Sequence, residues 1–147
     1  MPFSGAGGEA MQELFEQILT VLRGEDHQEI YPSFDAVPVS RKSTKLFTVV
    51  SPESVQFEPV IPAGLESTAV NACPASVVYR VSVLIPMTVP LETAEEYFDT
   101  VILPRMESIG STLCDVLPPQ ADAALGRVVM QWKFRLRCLF LEGSEDA

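Results

Sequence analysis

The clearest pattern in the chain is a two-residue alternation of apolar and polar positions that runs from Val128 to Leu141. Successive side chains of a β-strand point to opposite faces, so this alternation predicts a strand with two chemically different sides. The apolar side consists of Val128, Met130, Trp132, Phe134, Leu136, Cys138 and Phe140. The other side carries Lys133, Arg135 and Arg137 in a row. We therefore expect one face of this strand to lie against the core and the other to present a line of cations.

Three further strands are predicted from the same kind of pattern. Val77–Val89 alternates as cleanly as the final strand, and Lys45–Val50 and Val55–Ile61 are shorter apolar runs. The residues Ser51–Ser54, which include a proline, suit a tight turn, so the two shorter runs would form a hairpin. Pro59 has no backbone N–H to donate, which places its strand at a sheet edge or ends it early.

Two amphipathic helices are also predicted. Glu9–Arg23 carries apolar residues at three- and four-residue spacing, and Gly24 follows as a C-terminal stop. Glu92–Leu113 has a second apolar stripe and begins with acidic residues, which the helix dipole favours at that end. Pro104 lies inside this second helix and cannot donate to the preceding turn, so it should kink or split the helix.

Together these elements predict a single α+β domain over residues 1–147, with a four-stranded, mostly antiparallel sheet packed with two main helices. Because a helix lies between the Val77 and Val128 strands, a right-handed parallel crossover between them is an alternative. The Gly-rich residues 1–8 and a loop over residues 62–76, which contains the aperiodic run Pro62–Pro74, are expected to be flexible. The predicted core includes Leu14, Phe15, Ile18, Val81, Val83, Val101, Trp132, Phe134 and Leu136.

The composition fits a globular protein that meets other protein surfaces. Of the 147 residues, 47% are hydrophobic and 20% charged. The mean hydropathy of +0.20 indicates either a large core or apolar surface that another subunit covers. The net charge of −10 argues against general nucleic-acid binding. The sequence lacks a secretory signal pattern and an apolar run of transmembrane length, so we expect a soluble intracellular protein with no membrane partner.

The chain carries no recognisable signature of catalysis or of metal binding. Cys73, Cys114 and Cys138 share no short spacing, and His27 is distant from all three in sequence, so no zinc site is predicted. His27 itself lies in an acidic, polar segment that is typical of a surface turn. Acid–base catalysis would need paired carboxylates, but acids at the start of a helix are explained by its dipole. The acids concerned are Glu92, Glu95, Glu96 and Asp99. We therefore predict no enzymatic activity, no cofactor and no metal.

The line of cations on the final strand is the best candidate for an interaction site. Lys133, Arg135 and Arg137 share one strand face, and Arg80 on the neighbouring predicted strand can extend it. Because the chain is otherwise acidic, these cations could dock onto an acidic partner, including another copy of the protein, and Arg suits bidentate pairing with carboxylates. The alternative is a solvated sheet face whose cations pair with acids on neighbouring strands, such as Glu58.

The order of the predicted elements along the chain is similar to that of one known protein family. The segments concerned are Met11–Leu22 followed by Ile30–Pro32, the strands Tyr79–Val83 and Gln131–Leu136, and the intervening helix Glu92–Leu113. In order and texture they resemble the tail terminator, or tail completion, proteins of long-tailed bacteriophages and prophages. The resemblance implies a small α+β subunit that forms a hexameric ring, caps the tail tube and contacts other tail or connector proteins.

Three functional hypotheses follow. The first is a structural virion component without chemistry of its own, which is made in the cytoplasm of a bacterial host and assembled into the particle. The second is a small ligand-binding or enzymatic α+β domain with a pocket between the sheet and the second helix. The third is an adaptor or chaperone that forms a stable complex with an assembly partner. A ring-forming protein would form a defined oligomer and bind no metabolite, which separates the first hypothesis from the second.

Overall fold

The chain has an α+β fold in which its helices pack on one face of a mixed sheet. The computed structural model describes residues 2–3, 7–37, 46–57, 72–123 and 126–141. The strands are β1 (Pro2–Phe3), β2 (Ile30–Tyr31), β3 (Phe47–Phe57), β4 (Ala72–Pro86), β5 (Thr112–Val116), β6 (Gln120–Asp122) and β7 (Arg127–Leu141). The helices are α1 (Gly7–Arg23), α2 (Leu91–Tyr97) and α3 (Leu103–Ser108), and a π-helical turn (Phe98–Ile102) joins α2 to α3. A short 3₁₀ turn covers Phe34–Ala36.

The centre of the sheet is the antiparallel pair of β4 and β7, which runs without interruption from Ala72 opposite Leu141 to Pro86 opposite Arg127. β3 pairs antiparallel with the other edge of β4, and β2 adds to β3 in parallel. The strand order is β1-β7-β4-β3-β2, with β5 and β6 also pairing β7. The α+β class is as predicted, whereas the parallel alternative for the two long strands is wrong. The sheet is mostly antiparallel, as predicted, but it differs in detail from the four predicted strands. Two of those strands are one, β2 adds to β3, and β1, β5 and β6 pair with β7.

The predicted hairpin is a single strand. Ser51–Ser54 does not turn the chain; instead β3 continues through it, with a β-bulge between Pro52 and Ser54 in its pairing with β4. The long ladder to β4 keeps both halves extended, which outweighs the local turn preference of the sequence. The last residues of the loop predicted over residues 62–76 belong to a strand instead, because β4 begins at Ala72. The rest of that predicted loop lies outside the described residues. Within the predicted flexible start, residues 2–3 form β1.

The first helix ends as predicted, and the second ends early. Gly24 has a φ of +63° directly after α1, a conformation that glycine adopts at little cost. The second helical segment ends at Ser108, because Gly110 has a φ of +85° and turns the chain into β5. The π-helical turn directly precedes Pro104 and accommodates its missing N–H within a continuing helix. β5 begins at Thr112, inside the predicted helix Glu92–Leu113, and β6 follows it.

The main core lies between the helices and the inner face of the sheet. Among the predicted core residues, Leu14, Ile18, Val81, Val83, Trp132, Phe134 and Leu136 are buried, whereas Phe15 and Val101 are only partly buried. The Phe98 ring in the π-helical turn stacks on Trp132 with ring centroids 4.0 Å apart. This contact helps to hold the helix over β7, since such aromatic pairs contribute about 0.5–1.5 kcal/mol beyond the hydrophobic contribution of the area that they bury.

A second, smaller core covers one end of the outer sheet face. Phe47 and Leu84 are buried there beneath Val37, which belongs to the segment that follows β2. Arg127 is fully buried at the same end: its guanidinium carbon lies 4.6 Å from the centre of the Phe47 ring, and its Nη1 donates to the Leu84 carbonyl at 3.3 Å. Burial lowers the pKa of Arg127. Among the described residues, the segment from β2 to Val37 therefore covers this end of the outer face.

Arg105 on α3 ties the two helical segments together. Its Nη1 donates to the carbonyl oxygen of Leu22 at 2.8 Å, and its Nη2 pairs with Asp26 at 2.9 Å. The hydrogen bond from Arg105 lowers the pKa of Asp26 to about 2. A side chain at Gly24 would place its Cβ 2.5 Å from the Arg105 Nη1, so the end of the Arg105 side chain would have to move.

Tyr79 and Tyr97 differ in the hydrogen bonding of their hydroxyl groups. The Tyr79 hydroxyl is buried and has no hydrogen-bond partner among the described residues, whereas the Tyr97 hydroxyl donates to Gln28 Oε1 at 2.9 Å. Tyr79→Phe removes an unsatisfied polar atom and should raise the free energy of unfolding by about 1 kcal/mol. Tyr97→Phe makes the same chemical change but should lower it by about 0.5–1.5 kcal/mol. Urea denaturation of both variants measures the difference, and equal losses at the two positions would contradict the assignment.

Candidate interaction surface

Four cations lie together on the exposed end of the outer sheet face, and we call this set the basic face: Arg80, Lys133, Arg135 and Arg137. Arg80 on β4 is directly opposite Lys133 on β7. Because the β4–β7 ladder is regular, the alternation along β7 carries Arg135 and Arg137 onto the same side as Lys133. The structure therefore brings together all four residues that the sequence singled out.

Glu53 holds two of these cations in place. Lys133 Nζ lies 2.8 Å from Glu53 Oε1, and Arg80 Nη2 donates to Glu53 Oε2. The hydrogen bond from Lys133, followed by that from Arg80, keeps the pKa of Glu53 below its usual value. Glu53 is the extra residue of the β3 bulge, between Pro52 and Ser54 in the register. A bulge redirects a side chain at the point where it interrupts a strand. Here the side chain at the bulge is that of Glu53, which lies beside Arg80 and Lys133.

The other two cations are more exposed. Arg135 and Arg137 are both exposed, whereas Arg80 and Lys133 are half-buried. Val78, which pairs with Arg135 in the ladder, is only 8% exposed. Asp115 on β5 lies opposite Lys133 in the register and is exposed. Through Glu53, Arg80 and Lys133 pair with an acid of a neighbouring strand, as the solvated-face alternative expects. Glu58 lies outside the described residues.

A groove lies between the helices and the β5–β7 edge of the sheet, where the second functional hypothesis placed a pocket. Its volume is about 480 Å³. We call it the acidic groove; it is lined by Glu95, Phe98, Asp99, Leu103, Leu113, Val116, Met130 and Trp132. Glu95 and Asp99 are exposed, and Val116 is 59% exposed, whereas Phe98 and Trp132 are buried against each other. The groove therefore has an aromatic floor, an exposed aliphatic wall and two carboxylates.

The remaining candidate residues are the histidine, the other acids of α2 and two cysteines. His27 is exposed in the turn after α1, with a φ of +54°. Glu92 and Glu96 are exposed on α2, as Glu95 is. Cys114 is exposed and Cys138 is buried, both as free thiols. Among the described residues, no three metal-binding side chains lie close enough to hold an ion, and no helix has the length and apolarity needed to cross a bilayer.

The chain matches no protein-family model and no curated protein. The candidate surfaces are therefore defined by their own geometry and charge.

The ion pairs of Glu53 with Arg80 and Lys133 predict how the Glu53 carboxyl group titrates. Because the folded-state pKa of Glu53 is lowered, its contribution to stability is present at neutral pH and is lost as the pH falls through that lowered value. Lys133→Met and Arg80→Met should each raise the pKa of Glu53, since each removes a hydrogen bond to its carboxylate. Carboxyl-detected NMR titration measures both. Arg135→Met is the control and should leave the pKa of Glu53 unchanged. An equal rise in this variant would mean that the combined positive charge of the basic face, and not the two hydrogen bonds, lowers the pKa of Glu53.

Proposed function

We propose that this protein is a structural assembly subunit that self-associates into a ring and acts through protein–protein contacts. Within that class we propose a tail terminator or head–tail joining subunit of a long-tailed bacteriophage or prophage. The observation that carries the proposal is the basic face, on which two exposed arginines project from the central strand of a chain with a net charge of −10.

Charge is the physical reason for self-association. A cationic face on an acidic protein is complementary to most of the remaining surface of the same protein. A patch that binds a different patch on the next copy makes a head-to-tail contact, and such contacts close into a ring when the rotation between copies allows it. Complementary charges of this kind set the register and the association rate more than the total affinity.

The rigidity of the basic face supports the same function. Arg135 and Arg137 lie on β7, which pairs with β4 on one side and with β1, β5 and β6 on the other. Side chains on such a strand are held in a fixed spacing, which suits an interface that must repeat identically around a ring. The order of elements resembles that of tail terminators. From this resemblance we propose that one end of the ring contacts other tail or connector proteins.

The acidic groove favours a second candidate function, the binding of a small ligand. Its volume of about 480 Å³ falls within the range of about 300–1,000 Å³ that is usual for ligand sites. A ligand-binding domain of this kind would bind its ligand as a monomer and would not depend on the basic face.

The proposed function predicts that Arg135→Glu with Arg137→Glu abolishes assembly without unfolding the protein. Both side chains are exposed, so the fold should be retained, while each like-charge contact across the interface would oppose association. Native mass spectrometry and sedimentation at low salt should show a defined wild-type oligomer and a monomeric variant.

The matched control is Arg135→Lys with Arg137→Lys, which keeps both charges at the same positions and should retain the oligomer with weaker association. Circular dichroism and thermal melting check that both variants fold. A wild-type protein that stays monomeric at low salt and high concentration, or a Glu variant that assembles normally, would overturn the proposed function.

A further inference from the structure

The proposed ring leaves one question that the structure addresses: which surface of the next copy receives the basic face. A suitable surface needs carboxylates at the spacing of the two exposed arginines, together with apolar area that association can bury. The acidic groove has both, since it combines the exposed Glu95 and Asp99 with the exposed side chain of Val116.

The spacing of the charges matches. Arg135 and Arg137 are two residues apart on one strand face, so their Cα atoms are about 6.7 Å apart. Glu95 and Asp99 are four residues apart on a helical segment, where such side chains have Cβ atoms about 5–6 Å apart. Two arginines could therefore meet two carboxylates side by side. Each guanidinium has five N–H donors in a planar fork, so an exposed arginine can pair bidentately with a carboxylate while keeping another contact.

The apolar part of the groove matches the arginine side chains as well. Arginine has an aliphatic stem that can cover apolar surface while its charged end pairs with an acid. Val116, the most exposed apolar side chain of the groove, lines the same groove as the two carboxylates and offers a surface for that stem. Burial of Val116 would add a hydrophobic contribution that salt does not screen.

The two surfaces lie on opposite sides of the sheet. Met130 and Trp132, which line the groove, point to the inner face of β7, while Arg135 and Arg137 point to the outer face. One copy can therefore use its groove for one neighbour and its basic face for another at the same time. This is the arrangement that a head-to-tail ring requires, and it differs from a symmetric dimer, in which one patch meets itself.

From this geometry we propose that the acidic groove of one copy receives Arg135 and Arg137 of the next copy, with Glu95 and Asp99 as their partners. This inference rests on the proposed function and adds the identity of the receiving surface. The groove is thus one half of the interface between subunits.

A charge-exchange experiment tests the pairing. The first variant carries Arg135→Glu and Arg137→Glu, and the second carries Glu95→Lys and Asp99→Lys; all four side chains are exposed, so both variants should fold. Alone, each should lose the oligomer in native mass spectrometry at low salt. Mixed in equal amounts, they should recover it as alternating copies, because every contact then joins opposite charges. One chain with all four substitutions should also assemble. Glu92→Lys with Glu96→Lys is the matched control on the same helix and should assemble normally.

The possible outcomes separate this inference from the proposed function. If the basic-face variant is monomeric but the Glu95/Asp99 variant assembles, the receiving surface lies elsewhere: the inference is overturned and the proposed function stands. A lack of recovery on mixing two well-folded, monomeric variants also overturns the pairing. If wild-type protein never self-associates, both proposals fail. Val116→Lys is a second probe of the groove, and its normal assembly would likewise count against the inference.

Discussion

The antiparallel pairing of β4 and β7 is the interaction on which the rest of the structure depends. It joins two 15-residue strands along their whole length. Its regular register places alternate residues of the two strands on the same side, where the helices cover them: Val77, Tyr79, Val81, Val83 and Ile85 on β4, and Met130, Trp132, Phe134, Leu136 and Cys138 on β7. The same register necessarily gathers Arg80, Lys133, Arg135 and Arg137 on the other side. The core and the basic face are therefore two consequences of one ladder, and a shift by one residue would exchange them.

The charged residues of the outer face differ in how deeply they are buried. At one end Arg127 is buried over Phe47 and serves the packing of the segment that follows β2. In the middle, Glu53 holds Arg80 and Lys133. At the far end Arg135 and Arg137 remain exposed. Surface ion pairs contribute little to stability, typically about 0–1 kcal/mol, so Glu53 matters mainly because it orders the cations next to the exposed pair.

The sequence predicted those parts of the fold that periodicity determines. The alternation in β4 and β7 and the three- to four-residue spacing in α1 are local patterns, and the structure has all three elements. The edge strands β5 and β6 were missed because they are short, mostly exposed and close to Pro118 and Pro119. Their strand conformation comes from pairing with β7, which no local pattern encodes. The bulge in β3 was mistaken for a turn for the same reason: Ser51–Ser54 has turn residues, and only the distant partner strand keeps it extended.

The candidate site was predictable in part. Its cations share one strand face, so alternation alone groups three of them. Glu53 could not be identified, because the bulge that places it depends on the register with β4. The acidic residues of the helix were visible in the sequence, but helix periodicity does not say that Glu95 and Asp99 border an apolar groove with Val116. That juxtaposition requires β5 to be placed on the edge of β7.

The central claim, that the basic face of one copy meets the acidic groove of the next, is tested most directly by zero-length crosslinking between copies. The protein to use carries Arg135→Lys and Arg137→Lys, so that a carbodiimide can join positions 135 and 137 to carboxylates within contact distance. Equal amounts of ¹⁵N-labelled and unlabelled protein distinguish crosslinks between copies from those within one. The account predicts mixed-isotope crosslinks from position 135 or 137 to Glu95 or Asp99. Mixed-isotope crosslinks from these positions only to other carboxylates would contradict it.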